Sequence, residues 1–297
     1  MGVEIIREQS KHTLALSQRQ YILSLLERFR LSDINPVSTP MDPGSKLSLD
    51  MCPTSPEDIE EMRTIPYLQA VGSLMYLATA TRPDIAVTVG VLARFNQNPG
   101  IAHWKAVKHL FRYLKGTMDF KLVYAPDPAS TELFTMYTDA DHGGNPDNGK
   151  STGGYTVKIG TGAISWSSKL QSIVALLTTE AEYIAATSAG QEILWLQNLF
   201  TEMGYSMTSP STLWIDNLSA LSVAKNPEHH GRMKHLDLRF YWLRDVVEKG
   251  LICVQHLSTD DMPADVLTKP LVQVTLARMR DMLGLKGVTT SRGSVRR

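Results

Sequence analysis

Four acids stand where a folded chain places groups that do chemistry, at strand ends and first helical turns. Asp139 closes the apolar and aromatic stretch MYTDAD at 136–141, and Glu182 lies within TTEAEYIAA. Asp216 closes TLWID, and Asp265 opens PADVLTKPL. Oxygen ligands without Cys or a tight His cluster suit magnesium or manganese rather than zinc. Two such ions, roughly 4 Å apart, activate a water and stabilise the leaving oxygen in phosphodiester cleavage. Each acid also has an ordinary structural account. Thr179 and Glu182 read as a capping box, Asp265 favours a helix N-terminus through the dipole, and Asp216 with Asn217 reads as an N-cap. Asp139 and Asp141 alternate onto one face of a strand, yet the glycines and Asn145 that follow also spell a turn. Spacing alone leaves both accounts open.

Other side chains offer weaker chemistry. His229, His230 and His235 sit in NPEHHGRMKH with no acid or Cys at ligand spacing, and the neighbouring cations favour phosphate over zinc. STGGYT at 151–156 carries glycines at a strand start, not between strand and helix, so it is no nucleotide loop. The two cysteines, Cys52 and Cys253, lie in no metal-like spacing, which fits a reducing compartment. Lys plus Arg equals Asp plus Glu at 30 each, so any surface that attracts nucleic acid must be local. No apolar run reaches membrane-spanning length, and Glu4, Arg7 and Glu8 occupy the place of a signal peptide's apolar stretch. A soluble intracellular protein, cytoplasmic or nuclear, is expected.

The elements that must position the acids follow from periodicity. GVEIIREQSKHTLALS reads as a hairpin, and Ser17 with Gln20 as the capping box of an amphipathic helix. Residues 33–66, with six prolines, read as a long irregular segment. Two helices follow, YLQAVGSLMYLATA and DIAVTVGVLARF, then a third, AHWKAVKHLFRYLKG. YAPDPASTE at 124–132 reads as a connector. Beyond it, strands are expected at 132–139, 152–160 and 163–168 and a long helix at 179–203. TLWID is a strand followed by a short helix. A helix at 231–249, the strand LICVQHL and a helix begun near Pro263 complete the order. Hairpin-linked strands followed by alternating helices and strands imply a mixed sheet with helices packed on it.

Two helices carry cationic ridges. Trp104, Val107, Phe111 and Leu114 form an apolar stripe, and Lys105, Lys108, Arg112 and Lys115 repeat its spacing one residue later. In the helix near 231–249, Leu236, Phe240, Leu243 and Val247 form the apolar stripe, with Arg232, His235 and Arg239 beside it and Lys234 nearby. Such ridges are either solvated faces or tracks for a phosphate backbone.

The motifs in order resemble the C-terminal end of a copia-type LTR-retrotransposon Pol polyprotein. They are STPM (38–41), YLQAVGSLMYLATATRPDIA (67–86), HWKAVKHLFRYLKGT (103–117), YTDAD (137–141) and STGGYTV (151–157). ISWSSKLQ (164–171), TEAEYIA (179–185), DNLSAL (216–221), RMKHLDLRF (232–240) and ADVLTKPL (264–271) continue the series. The resemblance implies a mixed α/β chain. An RNase H-like domain at 132–285, with a five-stranded mixed sheet flanked by helices, would follow a mainly helical thumb and connection-like region at 1–124. A linker at 125–131 and a flexible tail at 286–297 complete this division. By similarity Asp139, Glu182, Asp216 and Asp265 are the acids that bind two Mg²⁺ or Mn²⁺ ions, while Asp141, Glu180 and Asp261 are neighbours only. His256 falls near where RNase H domains can carry a mobile histidine that assists product departure. The implied activity is cutting the RNA strand of an RNA–DNA hybrid. The implied partners are that hybrid and the polymerase part of a Pol polyprotein, with no membrane. The chain departs from the family at His142, where Trp is usual, and at Tyr241, where a second His is frequent. It also lacks the Tyr-Val-Asp-Asp motif of the polymerase palm, so no DNA synthesis is expected. The alternative is a non-catalytic remnant that at most binds nucleic acid.

Overall fold

The computed structural model describes residues 2–128, 132–207, 209–225 and 237–287. Its first part comprises β1 (Glu4–Glu8), β2 (Thr13–Ser17), α1 (Arg19–Arg28), α2 (Pro56–Arg63), α3 (Tyr67–Ala80), α4 (Ala86–Ala93), α5 (Ile101–Gly116) and β3 (Lys121–Tyr124). Then come β4 (Thr135–Ala140), β5 (Thr152–Ile159), β6 (Gly162–Leu170), α6 (Thr178–Glu202), β7 (Ser211–Ile215) and α7 (Leu218–Lys225). The chain continues through α8 (Asp237–Glu248), β8 (Ile252–His256), α9 (Gln273–Met282) and β9 (Leu285–Lys286).

The second sheet has five strands in the order β6-β5-β4-β7-β8. β4, β5 and β6 are antiparallel neighbours, whereas β7 lies parallel to β4, and β8 parallel to β7. Parallel neighbours need a crossover: α6 carries the chain from the edge strand β6 back to β7 beside β4, and α7 and α8 lie between β7 and β8. Small residues let α6 approach β4 closely. Ala140 packs with Ala181 and Ala185. Further along, Ile193 and Leu196 join Met136, Val157, Leu213, Leu243 and Val254 in one buried cluster. The β5–β6 turn depends on Gly160 at φ 54°, where a Cβ would lie 2.1 Å from the carbonyl oxygen of Ala125.

The other core joins both ends of the chain. Leu25, Leu74, Leu92, Leu110 and Phe111 pack with Val266, Leu267, Leu276, Met279 and Leu285. β9 pairs with β3, completing a four-stranded antiparallel sheet in the order β1-β2-β3-β9. The buried Arg82 guanidinium, between α3 and α4, donates to both oxygens of Asp84, at 2.9 and 2.8 Å. Tyr113 donates its hydroxyl to Asp84 at 2.5 Å and accepts from Arg280 of α9 at 2.8 Å. Burial opposes both charges of the pair, yet mutual attraction and these hydrogen bonds hold Asp84 below, and Arg82 above, their ordinary ranges. A division of the chain at 124 therefore does not divide the packing.

Several local expectations need correction. Ser17 accepts from the backbone N–H of Arg19, and Gln18 is the N-cap of α1, so the Ser17–Gln20 box does not form. The 33–66 segment is not irregular throughout. Ser55 caps α2 by accepting from Asp58 N–H, and Pro56 occupies the first turn. Strand β3 was not expected, because its four residues lie between a helix and a proline-rich connector. Lys286, assigned to a flexible tail, pairs with Lys121 in the first sheet. The helix expected near Pro263 is a 3-10 turn, Pro263–Leu267, and α9 begins only after Pro270. Among the described residues, no helix is long and apolar enough to cross a membrane.

Candidate metal centre

Asp139 is the penultimate residue of β4 and Asp216 directly follows β7. Because Thr138 pairs with Ile215 in the parallel ladder, the two aspartates emerge side by side at the carboxyl ends of neighbouring strands. This is the switch point of the sheet, with an antiparallel neighbour on one flank of β4 and a parallel one on the other. Glu182 is the fifth residue of α6, one turn deeper than expected, and its carboxylate accepts from the backbone N–H of Ala140. The capping box with Thr179 is absent. Glu180 instead accepts from the N–H of Leu176 at 2.6 Å, and so braces the helix start.

Asp139, Glu182 and Asp216 each offer a carboxylate oxygen, and these atoms all lie within 4.8 Å of one another. Asp139 is 2% and Glu182 3% exposed. The Oε2 atom of Glu182 is buried with no hydrogen-bond partner. Burial, then Asp139 and Asp216, pushes the Glu182 carboxyl up to about 10. Burial and Asp139 also raise Asp216, although Thr259 donates to its Oδ2 at 2.9 Å. An orphaned buried oxygen among converging carboxylates fits a hard divalent cation, which would satisfy the oxygen and remove the repulsion.

Asp265 reaches the centre from the 3-10 turn at 263–267, outside that group of three. Its carboxyl is pushed up to about 7 by burial and by Asp139, against the pull of Lys269. The Lys269 ammonium lies 2.9 Å from Asp265 Oδ1 and 3.7 Å from Asp139 Oδ2. Burial disfavours the ammonium, but Asp139 and Asp265 outweigh it and hold Lys269 above the usual lysine range. Thr268 donates its hydroxyl to Asp139 Oδ2. Gly154 makes room for this segment, since a Cβ there would stand 2.8 Å from Leu267 Cβ and 2.9 Å from Thr268 Cγ2. Lys269 and Thr268 were missed in the sequence, where ADVLTKPL drew attention only to its acid. The signal was available, because a turn returns residue 269 to the side of residue 265.

The acids of YTDAD do different work. Asp141 accepts from the N–H of Thr152, and its own N–H donates to the Thr152 carbonyl at 3.0 Å, which closes the 142–151 loop. The first part of the chain braces that loop, with Leu49 N–H donating to Asp147 at 2.8 Å and Arg94 to Thr152 at 3.4 Å. Burial raises the Asp141 carboxyl despite these bonds.

His256 is exposed, and its Nε2 lies 3.1 Å from the carbonyl oxygen of Asp216, at the rim of the centre. On α5, Val107, Phe111 and Leu114 are buried as the stripe requires. Two cations of the adjoining ridge are committed elsewhere. Arg112 donates to the Asn35 carbonyl at 2.7 Å and Lys115 to that of Ser32 at 2.6 Å, pinning the proline-rich segment. Lys105 is exposed and Lys108 half-buried. Arg232, Lys234 and His235, with His229 and His230, lie outside the described residues, as does the side chain of Arg239. Leu243 and Val247 face the core as expected.

The five-stranded mixed sheet and its flanking helices define an RNase H-like fold. Comparison with known proteins extends this. The chain is 45% identical over 285 residues to the retrovirus-related Pol polyprotein from transposon TNT 1-94 of Nicotiana tabacum, covering 96% of this chain and 21% of that protein. It is 39% identical over 298 residues to the Pol polyprotein from transposon RE2 of Arabidopsis thaliana, covering 100% of this chain and 20% of that protein. The chain belongs to the retrovirus-related Pol polyproteins of copia-type transposons, and spans about a fifth of the length of these relatives. Among solved structures, LC11-RNase H1 in complex with an RNA/DNA hybrid aligns at 17% identity and TM-score 0.35, over 46% of this chain and 93% of that one. No protein-family model matches the chain.

Proposed function

We propose that this chain is a ribonuclease H that cuts the RNA strand of RNA–DNA hybrids. The observation that carries the proposal is the convergence of Asp139, Glu182 and Asp216, with a buried oxygen of Glu182 left unpartnered. Asp139, Glu182, Asp216 and Asp265 would hold two Mg²⁺ or Mn²⁺ ions. Bound there, the ions would supply an activated water and charge stabilisation for the departing 3′ oxygen. The chain's own part is to present charge without reorganising. Paired strands fix Asp139 and Asp216, α6 fixes Glu182, and the Thr268 hydroxyl orients Asp139. Glu182 must give up the proton that burial stabilises on it before its second oxygen can serve as a ligand. His256, whose ring nitrogen lies 3.1 Å from the Asp216 carbonyl, would assist the departure of product. The RNA strand would be distinguished from DNA through its 2′-hydroxyls. In a whole Pol polyprotein the polymerase part would deliver the hybrid.

The test is cleavage of a hybrid carrying different labels on its two strands, beside duplex DNA and duplex RNA of the same sequence. Metal-dependent cutting of only the RNA strand of the hybrid, leaving 3′-hydroxyl ends, is expected. Cutting of duplex DNA with no action on the hybrid would refute the substrate assignment.

A further inference from the structure

We propose that the Lys269 ammonium is a built-in occupant of the second cation position, so that one divalent ion enters without displacing a side chain and the next must displace this one. The inference rests on the metal-binding reading above and concerns the order in which the centre fills. The three carboxylates within 4.8 Å of one another form one binding group, which Lys269 meets at its edge through Asp139. Asp265 lies outside that group, and the space it shares with Asp139 is bordered by Lys269, at 2.9 and 3.7 Å. Asp139 borders both the group of three and the space toward Asp265, so a second ion held with the help of Asp265 would meet this ammonium. An ammonium within 4 Å of oxygens from both acids stands on that scale, and it cannot coexist there with a divalent cation.

The chain is built to keep Lys269 in place and to let it leave. Its own N–H donates to the Asp265 carbonyl at 3.2 Å, so the turn carrying Asp265 also fixes the root of the lysine. The side chain is 39% exposed, whereas that of Asp139 is 2% exposed, so the ammonium has a route to solvent that the acid lacks. Among the described residues no other Lys or Arg is ion-paired to the four acids. Lys269 therefore compensates charge that would otherwise repel among the acids. The same compensation sets a threshold for the second ion, because that ion binds only as strongly as it outcompetes the lysine.

Mn²⁺ titration of the full chain by calorimetry, with bound ions counted by electron paramagnetic resonance, tests this on wild type, Lys269→Met and Asp139→Asn. Wild type should bind one ion tightly and a second more weakly. Lys269→Met should bind the second ion about tenfold tighter or more, a coupling in the usual range between adjacent sites. It should also melt at a lower temperature when metal-free, since the acids lose their counter-charge. If Lys269→Met is too unstable to titrate, Lys269→Gln keeps the volume and polarity and makes the same prediction. A second-ion affinity unchanged or weakened in the neutral variants would overturn the proposal. Failure of the metal reading looks different: wild type would bind no ion, or Asp139→Asn would bind both as wild type does.

Discussion

Replacing Glu182 with glutamine makes a prediction whose sign runs against the usual loss on mutating an active-site residue. Burial and two neighbouring carboxylates raise the Glu182 carboxyl to about 10, from 4.5 when unperturbed. Between those values the metal-free native protein keeps a proton that the unfolded chain has released. Stability is therefore lost as pH rises through the window, at a limiting slope of about 1.4 kcal/mol per pH unit for one proton. From pH 6 to pH 8 this amounts to at most ~3 kcal/mol, or roughly 5–10 °C in melting temperature for a chain of this size. Glutamine has nearly the same shape and cannot titrate, so Glu182→Gln should remove that part of the slope. Asp265, raised to about 7, loses stability in the same direction between 3.8 and 7, and its slope remains in the variant. The assay is melting of both proteins in EDTA from pH 5 to pH 9. The gap should open in favour of Glu182→Gln as pH rises. Divalent metal should then reverse the order by stabilising wild type, by ~2.7 kcal/mol at a hundredfold excess over its dissociation constant. Parallel pH profiles in EDTA would refute the claim that Glu182 is buried with its proton among acids.

Three further outcomes follow from the packing and the charges. Gly154→Ala adds a Cβ 2.8 Å from Leu267 Cβ and should push the segment carrying Asp265, Thr268 and Lys269 away from Asp139. A stability loss of ~1–3 kcal/mol in a denaturant melt, with slowed hybrid cleavage, is expected, and wild-type behaviour in both would contradict it. Asp84→Asn leaves the guanidinium of Arg82, 1% exposed, without its counter-charge, and should cost about 3–5 kcal/mol by urea unfolding. A loss below about 1 kcal/mol would show the pair to be dispensable. Replacing Arg232, Lys234 and Arg239 together with glutamine should flatten the plot of log hybrid affinity against log salt by roughly 2–3 units. An unchanged slope would mean that these cations only solvate a face.

Much of the RNase H-like half was legible because its signals are local. Alternating strands, the long run of α6 and the acids at strand ends all declare themselves within a few residues. What escaped depended on distant partners. β3 and β9 are short strands that exist because β3 pairs with β2 and β9 pairs with β3. The turn holding Asp265 is shaped by packing against the first part of the chain, through Val266 and Leu267. Arg112 and Lys115 read as a phosphate track, and only the return of residues 32–35 to α5 shows where they point. The acids at 139 and 141 look equivalent as a pair, but one faces Thr268 and the other closes a loop onto Thr152.

The central claim is that the converging carboxylates form a metal-dependent nuclease centre, and Asp139→Asn tests it most directly. The change keeps the volume, leaves an acceptor for Thr268 and removes one charge from the oxygen set. Hybrid cleavage should be measured for both proteins across a Mg²⁺ and Mn²⁺ titration, with folding checked by melting. Wild type should cut the RNA strand only with metal, and the folded variant should lose at least about a hundredfold in rate at every metal concentration. A folded Asp139→Asn protein that cuts as fast as wild type would contradict the account.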